Sequence, residues 1–366
     1  MNKRFINGLA ALAVVFSGAG ALPTGTFGGF SLTANAATIV DSGKCGDNLT
    51  YTLDSEGTLT ISGTGYMDWF SMTGKNDSRP WSAYRDDIVK VVIQSGVMSI
   101  SDFAFYGFNN ISEVTFAETV EYLDRTAFMG TDWLEAQRKE NPLVIVNNNL
   151  IDGQTAEGNV IIPDSVEIIC TGAFSGCKNL TGVTIPNSVR EIAARAFSSC
   201  RKLTSVVIPN SVKSIADMTF YDCSSLESVT IPDSVTTIWQ NVFRDCTNLA
   251  SITIPASVTS IGDYTFNGCS EGFTIKGCKG TAAETYAKNN GFTFIALDGA
   301  SAVPGDLNGD GAVDVDDIVL MQKATAGWKV AESVKKAADL DGNGTIDVEE
   351  LVMVQKKAAG WKIVLG

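Results

Sequence analysis

A pentapeptide of the form Ile-Pro-x-Ser-Val starts at residues 162, 185, 208, 231 and 254, a recurrence every 23 residues. A fixed period of this length is the signature of stacked structural repeats, and it restricts the fold more than any other feature of the chain. The rest of each unit keeps step. Leu203, Val206, Ile208, Val212, Ile215, Phe220 and Cys223 have Leu226, Val229, Ile231, Val235, Ile238, Phe243 and Cys246 at the same offsets in the next unit. The frame extends upstream through Ile88, Val91, Ile93, Val97, Ile100, Phe105 and Phe108, then through Ile111, Val114, Phe116, Val120, Leu123 and Phe128. Phe128 and Phe174 lie two periods apart, and the stretch WLEAQRKENPLVIVNNN between them breaks the pattern; it reads as an inserted helix and strand.

One such unit cannot bury its own apolar face, whereas stacked units share a continuous core. The Val-x-Ile alternation predicts a short strand with two inward side chains, which Pro ends by removing a ladder donor. Each coil then adds one strand to a parallel sheet, while Phe and Cys fill the interior on the opposite side. Full burial of an aliphatic or aromatic side chain contributes roughly 1.5–3 kcal/mol, so these seven positions per coil are the main source of stability.

Units of the form LxxVxIPxSVxxIxxxxFxxC, with their WLEAQRKENPLVIV interruption, resemble the BspA-type leucine-rich repeats over roughly residues 85–280. The resemblance implies an α/β repeat solenoid with parallel strands, placed here at residues 88–295 with an insertion near 129–150. The preceding GKCGDNLTYTLDSEGTLTISGTGYM alternates polar and apolar residues between Gly turns, reads as a β-rich N-terminal cap over residues 37–87, and resembles the segment that precedes such repeats. After Cys269 the pattern decays, and TAAETYAKNNGFTFIAL predicts a closing helix and strand, as atypical terminal repeats require.

Cysteine has two readings. Cys177, Cys200, Cys223, Cys246 and Cys269 form a ladder at the repeat period, while Cys45, Cys170 and Cys278 lie off it. Eight cysteines in an exported chain are compatible with a disulfide scaffold. In-register cysteines on coils roughly 4.8 Å apart have parallel side-chain vectors that fit the disulfide torsion poorly, which favours buried thiols acting as small apolar residues. A metal ladder lacks the Cys-x-x-Cys spacing or histidine it would need.

The N-terminus reads as an export signal, residues 1–36: Lys3 and Arg4, an apolar run from Ile6 to Leu22, and Ala34-Asn35-Ala36 as the cleavage site. Beyond it no run approaches the roughly 18 apolar residues of a membrane span. A formal charge of −14 argues against nucleic acid or an anionic membrane as partner. The chain contains no histidine, which removes the usual base of Ser and Cys nucleophiles and the commonest transition-metal ligand. Paired carboxylates remain chemically available, but no constellation singles out two of them. Thr184, Val207, Thr230 and Thr253, with Ser205, Ser228 and Ser251, make a flat, weakly polar outer face. Trp239 and Tyr264 do not align as a stacking platform, and Trp69, Phe70 and Trp81 are expected to pack in the cap. The architecture alone leads us to expect a protein or glycan ligand of unknown identity for the repeats.

After a Gly/Ala/Ser linker at residues 296–303 the composition changes. GDLNGDGAVDVDDI and ADLDGNGTIDVEEL fit the twelve-residue calcium loop, with oxygen ligands at positions 1, 3, 5, 7, 9 and 12 and Gly at 6. In the first loop these are Asp306, Asn308, Asp310, the Ala312 carbonyl, Asp314 and Asp317, with Gly311 at the turn. In the second they are Asp339, Asp341, Asn343, the Thr345 carbonyl, Asp347 and Glu350, with Gly344 at the turn. The tail carries eleven Asp and Glu against seven Lys, a net charge that two Ca²⁺ ions would offset. Each loop runs into an apolar helix and no comparable helix precedes the first, which is half of an ordinary EF-hand, duplicated.

Residues 304–366 therefore resemble a type I dockerin, the small all-α calcium module that docks cellulosome components onto cohesin domains of a scaffoldin. By that resemblance the recognition positions fall on Val315-Asp316 and Val348-Glu349, and the basic helix positions on Lys323 and Lys356, preceded by Gln322 and Gln355. Many dockerins carry a hydroxyl pair where this chain has Val-acid, a departure that concerns the cohesin partner rather than the calcium loops. Recurrence of the same residues in both halves implies docking in two orientations. The sequence thus reads as an exported, non-catalytic solenoid held on a cellulosome or cell-surface scaffold. The alternative is a dockerin-borne polysaccharide-degrading enzyme or protease inhibitor whose active surface lies in the cap or the insertion.

Overall fold

The computed structural model describes residues 37–73, 76–123, 125–297, 305–308, 313–330, 334–335, 338–340 and 344–359; the expected export signal and most of the expected linker lie outside them. At the N-terminal end, strands Ile39–Lys44, Leu49–Asp54 and Thr58–Gly63 pair antiparallel, as the alternation requires, with Leu49, Tyr51, Leu53, Leu59 and Ile61 turned inward. Thr58–Gly63 then pairs in parallel with Lys90–Ile93, and that strand with Glu113–Thr115. This sheet covers the edge that the first coil would otherwise expose. Trp81 is fully buried and stacks on Phe105 with ring centroids 5.4 Å apart. Arg79, only 1% exposed, pairs with Asp77 and donates from Nη1 to the Phe103 and Tyr106 carbonyls at 3.0 and 2.9 Å. A buried guanidinium is tolerable because its donors are met in this way. Trp69, expected in the cap interior, is instead 83% exposed.

In the repeats the register is that of the sequence period. Val183 pairs with Val206 and Val206 with Val229, so like stacks on like. The ladder continues to Ile208, whose N–H donates to the Thr230 carbonyl at 3.1 Å, and stops at Pro209, which has no donor. The expectation of one strand per coil is corrected. A second parallel row runs through Ser214–Ile215, Thr237–Ile238 and Ser260–Ile261, two-residue strands too short to show any alternation. The serines of the last three Ile-Pro-x-Ser-Val units are also structural: Ser211, Ser234 and Ser257 donate to the Val189, Val212 and Val235 carbonyls of the preceding coil at 2.5, 2.7 and 2.9 Å, whereas Ser188 Oγ is buried without a hydrogen-bond partner.

The third side is built from Phe and Cys. Phe174, Phe197, Phe220, Phe243 and Phe266 are fully buried, and their rings stack within 9° of parallel at 4.9 to 5.7 Å. The backbone before each ring is left-handed at Arg195, Met218, Asn241 and Tyr264, with φ of 57, 54, 55 and 59°. That geometry turns the N–H toward the following coil: Arg195, Met218 and Asn241 donate to Asp217, Gln240 and Asp263 carbonyls at 3.0, 3.2 and 3.0 Å. The five ladder cysteines are free thiols. Each ladder thiol donates to a carbonyl of the coil before it, Cys200 to Phe174, Cys223 to Phe197 and Cys246 to Phe220 at 3.1, 3.1 and 3.2 Å. Cysteine is thus a small apolar residue that also answers a buried acceptor, which Ala would not. Burial raises these thiols, Cys269 to about 12.

The interruption is helix α1 (Asp132–Glu140) followed by the antiparallel pair Val144–Val146 and Asn149–Asp152. Thr131 caps α1 by accepting from the Leu134 N–H at 3.2 Å. Arg138 grips the fully buried Asp152 through two hydrogen bonds, at 3.0 and 2.7 Å. Asn149–Asp152 pairs in parallel with Ile168–Ile169, which returns the chain to the second row. Gly153 lies against the Phe174 ring so closely that a Cβ there would stand 2.2 Å from a ring carbon. The closing segment is helix α2 (Ala282–Asn290), ended by Gly291 in the left-handed region, and strand Thr293–Ala296. Tyr286 and Phe292 meet the last ring, Phe266, edge-on.

Candidate metal centre and docking helices

Each acidic loop of the tail runs into a helix, α3 (Val315–Thr325) and α4 (Val348–Ala358), and the two pack on one another. Both helices open with a capping box, which satisfies N–H groups that a helix start leaves orphaned. Asp314 accepts from the Asp316 N–H at 2.9 Å, and Asp347 from the Glu349 N–H at 2.8 Å. Reciprocally, Asp317 Oδ2 accepts from the Asp314 N–H and Glu350 Oε2 from the Asp347 N–H, both at 2.9 Å.

The remaining carboxylate oxygens reach back to the start of each loop. Asp317 Oδ1 accepts from the Leu307 and Asn308 N–H groups at 2.7 and 3.0 Å, and Glu350 Oε1 from the Leu340 N–H at 2.6 Å. One carboxylate in each half therefore ties loop entry to helix entry. Asp317 is fully buried and Glu350 is 2% exposed. Among the described residues neither forms an ion pair with Lys or Arg. Burial raises the Asp317 carboxyl, against the lowering effect of its backbone donors. A buried carboxylate without a positive partner is costly, and backbone donors alone offset only part of that cost.

A cation fits this arrangement at a second point. Asp339 Oδ2 accepts from the Gly344 N–H at 2.9 Å, whereas Asp339 Oδ1 is buried with no hydrogen-bond partner. Gly344, with φ of 83°, makes the turn that folds the loop around this side chain. An orphaned carboxylate oxygen at the first loop position and a buried carboxylate at the twelfth are the kind of donors that a hard oxygen-seeking ion takes. When bound, such an ion would neutralise the carboxylates that hold it.

Of the expected ligands, Asp306, Asn308, Asp314, Asp317, Asp339, Thr345, Asp347 and Glu350 are described; Asp310, Ala312, Asp341 and Asn343 lie outside the described residues. Among the described residues no three His, Cys, Asp or Glu side chains form a metal-holding group. On the helix surfaces Val315 and Val348 are 69% and 64% exposed. Asp316, Glu349, Gln322, Gln355 and Lys356 are also exposed, and Lys323 is half-buried. Sequence reasoning missed Val319 and Val352, which are exposed and lie one turn below Val315 and Val348. The i, i+4 spacing of exposed valines was the available signal.

Parallel rows, in-register side chains and a capped, interrupted stack define a leucine-rich repeat solenoid, followed by a paired loop-helix module. The profile described as BspA type Leucine rich repeat region matches six copies over residues 83–152 and 145–271, just over half of the sequence. The chain belongs to that family. The profile of the Dockerin type I domain matches residues 304–357. Type I dockerins bind calcium, and the chain combines such a module with a repeat interaction surface, as a cellulosome-type component does. Among solved structures, the chain is similar to a leucine-rich repeat protein of Eubacterium ventriosum (20% identity, 63% of this chain and 95% of that one, TM-score 0.26). It is also similar to a leucine-rich cell surface protein of Faecalibacterium prausnitzii (23%, 64% and 75%, TM-score 0.32). A third is a leucine-rich repeat protein of Bacteroides ovatus (20%, 68% and 75%, TM-score 0.33). A comparison with curated proteins gives no match. No helix among the described residues is long and apolar enough to cross a membrane.

Proposed function

We propose that the protein is an exported, non-catalytic adaptor that docks through its tail onto a scaffoldin cohesin and presents its repeats as a binding surface for a protein or glycan. The observation that carries this reading is the repetition of one loop-to-helix arrangement, Asp314 and Asp317 in the first half and Asp347 and Glu350 in the second, with matching hydrogen bonds. Two calcium ions would occupy the two loops, held by the twelve residues identified from the loop spacing. Residues 1–36 would be removed on export, 37–87 cap the solenoid, 88–295 form it, 296–303 link it to the tail, and 304–366 dock. The exported chain would be held at the cell surface through its scaffold.

Val315, Asp316, Gln322 and Lys323 on α3 match Val348, Glu349, Gln355 and Lys356 on α4, so either helix offers nearly the same face to a cohesin. Surface plasmon resonance of the full chain over a panel of immobilised type I cohesins tests the reading. Binding in Ca²⁺ that chelator abolishes, and that Asp306→Ala with Asp339→Ala also abolishes, supports it. Undiminished binding by that double variant rejects it. Release of sugar or peptide from a polymer panel would reject the non-catalytic part.

A further inference from the structure

A groove of about 510 Å³ crosses the solenoid near its N-terminal end, over the cap and the first coils. Three rings line it, Tyr66, Trp69 and Tyr122, which are 56%, 83% and 52% exposed. Tyr66 and Tyr122 come from segments more than fifty residues apart, yet their ring centroids lie 6.1 Å from one another at 42°. The backbone beneath them is held. Met67 N–H donates to Ser99 Oγ at 2.9 Å, Ser101 Oγ donates to the Met67 carbonyl at 3.2 Å, and Ser99 bridges to Tyr122. The rings are therefore set on a fixed floor while their faces stay open to solvent.

Charge on the same walls is of one sign. Asp102, Glu121 and Glu191 line the groove, and no Lys or Arg does among the described residues. Arg190 and Lys213 border only an adjoining hollow at the Glu191 end, and Arg190 is turned to Glu167 at 3.4 Å. Glu191 alone lines both hollows. Neutral sugars stack on such rings and can donate hydroxyls to carboxylates, but carry no charge for a net negative wall to attract. A cation gains from both, since ring quadrupoles attract positive charge over their faces and carboxylates supply its counter-charge.

Resting on the reading of the repeats as a binding surface, we propose that this groove captures a basic side chain, arginine above all, on a cationic peptide segment of the partner. The planar guanidinium is weakly hydrated and stacks on an aromatic face while its edge donates to a carboxylate. Trp69 would be the stacking face and Glu121 the acceptor.

The test titrates the full chain in Ca²⁺ with a tetra-arginine peptide, read by intrinsic tryptophan fluorescence and calorimetry, with cellotetraose and xylotetraose as neutral probes. The expected result is saturable peptide binding, weakened about tenfold by Trp69→Ala and by Glu121→Gln separately, a loss of the size expected for a desolvated cation–π contact or charged hydrogen bond. Both side chains are exposed, so neither variant should disturb folding. Asp164→Asn with Glu227→Gln, exposed carboxylates outside the groove, should bind as the parent does. Equal weakening by that control pair, binding unchanged in Trp69→Ala, or saccharide binding that survives Glu121→Gln while the peptide fails to bind would each overturn the proposal. Cohesin binding by the Trp69→Ala chain is measured in parallel, because its persistence separates failure of the groove from failure of the adaptor reading.

Discussion

The repeats and the tail solve the same burial problem in opposite ways. In the repeats, one continuous core runs from Leu143 to Ala287, and groups such as the Cys223 thiol and the Ser234 hydroxyl find partners in the adjoining coil. In the tail, the buried apolar set among the described residues is Leu307, Met321, Val334, Ala338, Leu340 and Val354, and two carboxylates are buried alongside it. A module of about sixty residues is marginal without a staple. On the proposed reading stability has two sources here, stacking that every coil shares and an ion that would hold the tail.

Removal of calcium should separate them most sharply. Hydrogen exchange of the full chain in chelator is expected to lose protection across α3 and α4 by orders of magnitude, because metal binding free energy in such a module is folding free energy. Peptides from residues 160–290 should exchange as before. Uniform protection with and without chelator would erase the distinction.

Next in size is a deletion from the ring stack. Phe220→Ala should cost about 3–5 kcal/mol in urea denaturation, the usual range for a buried Phe replaced by Ala. It should leave calcium affinity of the tail unchanged; a shift in both would show that the regions are coupled. Gly153→Ala probes the same stack by overfilling it, since the methyl would meet the Phe174 ring, and should cost about 1–3 kcal/mol by the same assay.

Alkali offers a finer test. A thiol raised by burial favours the protonated native state, so its contribution is complete below the ordinary thiol value of 9.0 and is lost as pH climbs toward about 12. Denaturation midpoints of the parent should therefore fall across that window more steeply than those of Cys269→Ala. The smallest effect is expected at Tyr264, left-handed and half-exposed. Tyr264→Gly should stabilise by at most about 1 kcal/mol, since relief of the left-handed strain is partly offset by the added entropy of an unfolded glycine.

The ring and thiol ladders were legible because a period of 23 repeats identical residue types at identical depths. Helix α1 and one following strand were legible as a break in that period, though not its antiparallel partner Asn149–Asp152, and the closing helix and strand as its decay. The second strand row was not, since pairs such as Ser214–Ile215 are too short to alternate. Nor were the left-handed turns: Gly172 occupies the position that Arg195, Met218, Asn241 and Tyr264 take in later coils, so no residue type marks it. In the tail the loop spacing is what carries the proposed ligands. The capping role of Asp317 and Glu350 was hidden, because a carboxylate twelve residues into such a loop reads as a ligand first. Trp69 was misplaced because an aromatic residue in a β-rich segment is ordinarily interior, and its exposure depends on segments distant in the chain.

The thiol hydrogen bonds reach 26 residues back and the serine hydroxyls 22, each to the coil before. Neighbours in this stack are thus defined by offset rather than by identity. Excision of a stretch such as residues 197–219 would join surfaces that already know one another, and duplication of it would do the same. Length is therefore a free variable for this architecture: a gene can lengthen or shorten the distance between cap and tail by whole coils without inventing a single new contact.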